Sequence, residues 1–457
     1  MTTTTNINTF MTSIPWDELP KTVRDAIFVT RRLGIQYLWV DALCVIQGTD
    51  HTAQFDWRSE SAKMLHIYGA AFITIAARNS ANAHEGLFHK RPVAPMPSCP
   101  LRSSSKYPRT ILIGPDPPSR LPHTEPLNTR AWALQEQLLS NRILAYETAG
   151  LYWMCRKSHY LETMPEPEFQ ALGFMEKETS PDRLDCAPNK LAARNQLSEW
   201  VRVEWKAIVE NYSSRDLTYM TDKLPALYGL SEMVDRSSKD KYFAGLWQSD
   251  LLQQLLWRHC GKVTGSAVEF RRQREFRAPS WSWASVDGQV QFLHDYQGLD
   301  DIITICNLNI HTSQQPHKMK QRPLHVFGLF RKLPSIRCEY AARYYGGAER
   351  HTPWIAYSTS LQTYLDDVEA LPDTSILDSP DRPKQLLNAL FLFLGSKGTI
   401  DITRYGAGLI LIQVDKLHFN TFRRVGVFEG FPFSLATSGG PRRGLRKGEE
   451  RRWVKIL

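Results

Sequence analysis

The segment LGIQYLWVDALCVIQGTDHTAQFDWRSESAKMLHIYGAAFITIAA, Leu33 to Ala77, decides how the first third of the chain is read. Tyr37, Leu38, Trp39 and Val40 form an apolar run without polar alternation, the pattern of a parallel strand covered on both faces. Asp41 ends that run. From about Ala53 to Gly69, the apolar residues Trp57, Met64, Leu65 and Tyr68 recur on one side of a 3.6-residue helix. Phe72 to Ala77 then reads as a second buried strand. Strand, crossover helix and strand make a right-handed parallel unit, and ligands of such sheets bind outside the carboxyl ends of the strands. This predicts an α/β domain with a parallel sheet and puts Asp41, Cys44 and Gln47 on its functional edge.

Working outward, Leu19, Val23, Ala26, Ile27 and Leu33 make a helical stripe over Asp17 to Leu33, closed by Gly34. Asn128 to Leu139 reads as a helix with Trp132, Gln135 and Leu138 inward. Ile143 to Tyr146 and Leu151 to Met154 read as a hairpin. Between them, His84 to His123 is rich in Pro, Ser and Arg and reads as a surface excursion, with only Ile111 to Gly114 fit for a strand. Leu191 to Met233 and Phe243 to Cys260 read as mainly helical. After Pro279 the period changes to strands at Ile302 to Ile310, Leu324 to Phe330, Ala389 to Leu394, Gly408 to Val414 and Phe422 to Phe428, a sandwich or a partial barrel. A short helix is expected around Ser360 to Val368. The expected organisation is therefore an α/β domain over 1–160, a Pro- and Glu-rich linker over 161–190, a helical region over 191–278, a mainly β region over 279–440 and a basic tail over 441–457.

With 457 residues, 42% apolar and 11% aromatic, the chain can bury more than one core. The formal charge of +9 suggests nucleic acid until it is located. Seven basic residues stand against Glu449 and Glu450 between Pro441 and Leu457, so the charge sits in a short tail, read as solvated, and no specific nucleic-acid partner is expected. The seven cysteines are scattered without a C-x-x-C pair, which speaks against a disulfide framework or a zinc ribbon. No metal site is expected. The start MTTTTNINTF is no secretory signal and no apolar run is long enough to span a bilayer, so a cytoplasmic protein without a transmembrane segment is expected.

The sharpest chemical candidate is Glu60. It lies four residues after Asp56 and three after Trp57, so on a helix the two carboxylates share a face beside an indole. Like charges and burial against Trp57 both raise a carboxyl pKa, as a general acid or base requires. The alternative is a solvated helix face with Glu60 near Arg58 or Lys63. Asp41 fits a ribose or cation contact, or a cap on the following turn. Cys44 lies among apolar neighbours and reads as a buried structural cysteine. Arg130, Trp132, Gln135 and Glu136 form a second cluster, in which Arg130 suits either a phosphate or a structural carboxylate. Trp281 and Trp283 of WSW share one side of a strand and read as core packing, as do His259 and Cys260.

Several of these stretches carry a resemblance. LGIQYLWVDALCVIQ, then Asp56, Trp57 and Glu60 of DW-x-x-E, then Met64 and Tyr68 of M-x-x-x-Y with AA-x-x-TIAA, look like the middle of the fungal heterokaryon incompatibility (HET) domain. LNTRAWALQEQLLSNRILAY, Leu127 to Tyr146, followed by LYWMC, is similar to the end of that domain. APSWSWASVDG, Ala278 to Gly288, resembles a segment that often follows it. The family's first strand carries a tyrosine and a tryptophan-glycine pair; nothing in Met1 to Pro15 matches it, so a domain lacking that strand is expected. The resemblance implies non-self recognition and cell-death signalling through protein partners or self-association. HET domains have been related in fold to the Toll/interleukin-1 receptor (TIR) family, whose NAD-cleaving members use a helical glutamate a few residues after a tryptophan. Trp57-x-x-Glu60 is similar to that arrangement. It implies Glu60 as the catalytic residue of a NAD glycohydrolase, with Asp41, Asp56, Trp57 and Arg130 around the substrate and no bound cofactor. An inactive interaction scaffold is the remaining reading.

Overall fold

The computed structural model describes residues 1–90, 99–102, 110–113, 125–162 apart from 149 and 157, 200–259 apart from 239, 263–264, 267–268, 276–293, 297–298, 303–306, 323–339, 342–345, 348–351, 355–358, 361–365, 384–397, 404–414, 420–433 and 449–456. Beyond Leu161 and Glu162 the expected linker lies outside the described residues, as does Cys260. The chain divides into two compact units, the first Met1–Val203 with Arg215–Thr218 and Pro225–Ser237, the second Glu204–Ser214 and Tyr219–Leu224 with Ser238–Leu457.

In the first unit a short helix at Ile7–Thr12 precedes α1 (Lys21–Arg32), which ends as expected at Gly34, where φ is +69° and a residue without Cβ is favoured. Tyr37 to Val40 pairs with no strand among the described residues, and Tyr37 is 81% exposed. This corrects the expected first strand: an apolar run without alternation marks a covered strand only when a neighbouring strand takes up its backbone groups, and none among the described residues does. A single turn, α2 (Asp41–Cys44), follows directly. The expected long helix is two, α3 (His51–Ser61) and α4 (Met64–Ala70), broken at Ala62 and Lys63. Asp50 caps α3 by accepting from Ala53 N at 3.0 Å.

The sheet has the order β1 (Thr74–Ala76), β2 (Arg142–Glu147), β3 (Gly150–Cys155), β4 (His159–Leu161). It is mixed rather than parallel. β1 and β2 run parallel with Ala76 opposite Ala145, while β2, β3 and β4 are antiparallel. The parallel crossover is therefore one step later than the sequence predicts, from β1 through α5 (Ala131–Leu139) to β2. Alternation fixes the buried face: Ile143, Ala145, Tyr152 and Met154 pack together, with Ala76 beside them.

Leu134, Leu138 and Leu139 of α5 are buried, and Gln135 is fully so. The Gln135 Oε1 accepts from the backbone N–H of Gly229, at 2.7 Å, in the helix Pro225–Ser237. A Cβ at Gly229 would stand 3.0 Å from that same oxygen, so a glycine permits the close approach.

The second unit holds a cluster of fully buried tryptophans, Trp205, Trp247, Trp257, Trp281 and Trp283. Trp281 and Trp283 are core, as expected, but they sit in a turn closed by the short 3-10 helix Trp283–Ser285 rather than in a strand. Ser282 caps that turn through Ala284 N. His259 is buried, its Nε2 against the carbonyl of Asp287.

The expected β region is present. Its strands are β5 (Leu324–Glu339), β6 (Ile355–Ser358), β7 (Leu361–Leu365), β8 (Lys384–Lys397), β9 (Arg404–Gln413), β10 (Thr421–Phe433) and β11 (Glu449–Ile456). Pairing runs β5–β8–β9–β10–β7–β6 and returns to β5, so the sheet curls into a partial barrel. Where a short helix was expected near Ser360, β7 pairs on both sides. The basic tail is corrected too. Its last residues form β11, antiparallel to β5 over Leu324–Arg331, with Val454 and Ile456 buried and Arg451 and Trp453 outward. The alternation behind the charges is a strand signal that counting charges hides.

Candidate functional site

In the first unit, four side chains with acid–base chemistry converge from three elements and one helix boundary. Asp41 opens α2, Tyr68 lies on α4, Arg130 flanks the start of α5, and Glu136 lies within α5. Packing of α4 on α5 sets Tyr68 against Glu136. The Tyr68 hydroxyl donates a hydrogen bond to the Glu136 carboxylate. Glu136 keeps some accessible surface, yet its carboxyl is crowded by protein. Burial, and then the charge of Asp41, push it up to about 7, against the opposing pull of Arg130 and of the Tyr68 hydrogen bond. Burial first, then Glu136 and Asp41, raise the Tyr68 phenol well above its ordinary range.

Such a carboxyl holds and releases a proton at neutral pH, which an exposed glutamate does not. Arg130 supplies the compensating positive charge while remaining exposed. Its position is fixed by backbone: Ala131 N donates to Asp216 O at 2.9 Å and Asp216 N to Thr129 O at 2.6 Å. Trp39 meets Tyr68 edge to face at 5.8 Å, and Trp57 of α3 meets Trp132 of α5 at 6.1 Å.

Residues 1–136 match the family described as heterokaryon incompatibility protein (HET). The chain has an N-terminal HET domain. No curated protein and no solved structure matches it. All four residues of the cluster lie inside the matched HET segment.

The other candidates in the HET domain have defined surroundings. Glu60 forms an ion pair with Lys63, Oε1 to Nζ 2.6 Å, three residues along the chain. Asp56 accepts from the backbone N–H of Ile46 at 2.8 Å, tying α3 to the segment after α2. Asp41 caps its own turn, accepting from Ala42 N at 2.7 Å, and also projects its charge on Glu136 and Tyr68. Cys44 is exposed rather than buried, because the single turn of α2 directs it outward.

The structure thus brings Asp41 and Arg130 together with Glu136, and gives Glu60 and Asp56 local partners. The spacing of Tyr68 puts it on the inner side of a helix but reveals no role, since that role depends on α5, more than sixty residues away. No helix among the described residues is long and apolar enough to cross a membrane.

Proposed function

We propose that this HET-domain protein acts in non-self recognition, its domain triggering a cell-death response when activated and its C-terminal region sensing or regulating that activation. The match over residues 1–136 supports the reading. We place the chemistry of the response at Glu136, because Tyr68, Asp41 and Arg130 converge on a carboxyl poised near neutrality. The protein then works in the cytoplasm and through self-association or a protein partner.

Expression in a filamentous fungal host tests this. Wild type is expected to arrest growth, Glu136→Gln to be tolerated at equal abundance, and Glu60→Gln to remain toxic. Full toxicity of Glu136→Gln would remove Glu136 from the mechanism. Absence of toxicity in the well-expressed wild type would favour an inactive scaffold.

The enzymatic alternative is a TIR-like NAD glycohydrolase. The ion pair that fixes Glu60 beside Lys63, three residues after Trp57, is the observation that favours it, since a carboxylate held in place can stabilise a ribosyl cation. NAD consumption by the purified chain at high concentration, compared with Glu60→Gln and Glu136→Gln, separates the two. Turnover abolished by Glu60→Gln alone would assign the reaction to Glu60.

A further inference from the structure

A hollow of about 210 Å³ lies at the carboxyl ends of the two parallel strands, apart from the Glu136 cluster. Beyond β1 the chain turns through Arg78 and Asn79, and β2 ends at Glu147. Asn79 N donates to Tyr146 O at 2.9 Å, which holds the two strand ends together. Asn79, Phe88, His89, Lys90, Tyr146 and Glu147 are among the residues that line the space.

The loop carrying Phe88 and Lys90 is fixed in advance of any ligand. Gly86 N donates to Thr22 Oγ1 at 3.1 Å and Leu87 N to Asp25 Oδ2 at 2.9 Å, both on α1. Ser80 Oγ donates to Gly86 O, and His89 Nε2 lies 3.2 Å from Ser80 Oγ. Gly86 itself has φ of +85°, the left-handed turn that lets the loop double back. Phe88 meets Tyr146 edge to face at 5.8 Å and Phe28 at 6.0 Å, and Phe88 is 50% exposed. A half-exposed phenylalanine held in this way presents an apolar wall to the hollow.

The charge balance points to the sign of an occupant. Glu147 is neutralised by Arg78, Nη1 to Oε1 2.6 Å, with both side chains largely buried. Lys90 stands at the rim, exposed. The volume is below the roughly 300–1,000 Å³ of sites for drug-sized ligands, which suits a single ring system. The Asn79 amide offers both donor and acceptor to a ring edge.

We propose that this hollow binds a small planar aromatic anion, its ring against Phe88 and Tyr146 and its anionic group at Lys90. A nucleotide phosphate and an aromatic carboxylate both carry that chemistry. The site is independent of the reading given to Glu136.

Calorimetric titration of the full chain with adenosine monophosphate, benzoate, adenosine and inorganic phosphate tests it. At least one ring-bearing anion is expected to bind with Kd below about 1 mM, with adenosine and phosphate about tenfold weaker or more. Which of the two anions binds tells nucleotide from carboxylate. Lys90→Ala and Phe88→Ala, both at exposed positions and with wild-type circular dichroism, are each expected to weaken binding about tenfold. Absence of binding by both ring-bearing anions, adenosine binding as well as its monophosphate, or affinity untouched by both substitutions would overturn the proposal.

Discussion

The Tyr68 hydroxyl and the Glu136 carboxyl share a hydrogen bond between two helices that the sequence separates by a long excursion. The bond favours the ionised carboxylate, whereas burial and Asp41 favour the protonated form, and the second pair prevails. Tyr68→Phe deletes the donor without emptying the space. The Glu136 pKa is expected to rise further above about 7, read by carbon-detected NMR titration of the carboxyl. An unchanged pKa would show that the hydroxyl contributes nothing.

The same residue sets a stability trend. Its pKa is about 7 when folded against 4.5 for a free glutamate, so the folded state binds the extra proton between those values. Stability from this group is full below about pH 4.5 and is lost as pH rises through 7, on the order of 3 kcal/mol at most. Glu136→Gln is expected to flatten that window in thermal unfolding followed from pH 4.5 to 8.

In the second unit the sign reverses. Burial lowers Lys223 to about 7 and His259 to about 4, so the unfolded chain binds the protons more tightly. Stability is expected to rise with pH from about 4 to 6.5 for His259, and from about 7 to 10.5 for Lys223. Lys223 donates to Val286 O and lies 5.6 Å from the centre of the Trp283 ring. Lys223→Met is expected to abolish the upper window alone, and persistence of that slope would assign it to another group.

Arg424 is fully buried, stacked 3.5 Å from the centre of the Trp257 ring, with its guanidinium donating to Leu255 O at 2.7 Å and to Trp257 O. A lysine has neither the fork nor the plane for this. Arg424→Lys is expected to destabilise the chain by about 3 kcal/mol, seen as a lower urea midpoint with an unchanged slope.

Gly245 receives the indole N–H groups of both Trp205 and Trp283, at 2.8 and 2.9 Å. Its φ is +97°, and a Cβ there would lie 2.5 Å from Trp283 Nε1. Gly245→Ala is expected to cost roughly 2 kcal/mol or more, because strain and collision add, and a midpoint within error of wild type would refute it.

How far the sequence reveals this molecule depends on the range over which each signal acts. The inward face of α5, the hairpin of β2 and β3 and the cap at Gly34 were legible, since periodicity and turn chemistry are local. Gln135 was read as inward, but its partner Gly229 is 94 residues away and leaves no local mark. Tyr37 to Val40 misled because a dense apolar run looks the same whether or not a strand lies beside it. Asp41 and Arg130 were singled out by type and position. In the sequence Glu136 stands out only as part of a cluster, and its perturbation arises from desolvation, which composition does not display.

The pairing of β5 with β11 also sets a clock. Arg331 and Glu449 are 118 residues apart, although they face each other across the sheet. At roughly 5–20 residues per second, a ribosome needs on the order of ten seconds to supply the second strand after the first has emerged. During that interval the side of Leu324–Arg331 that β11 will cover is open, although Thr304–Cys306 can already pair with the other side, and the open side can be met by a chaperone or by a neighbour's strand.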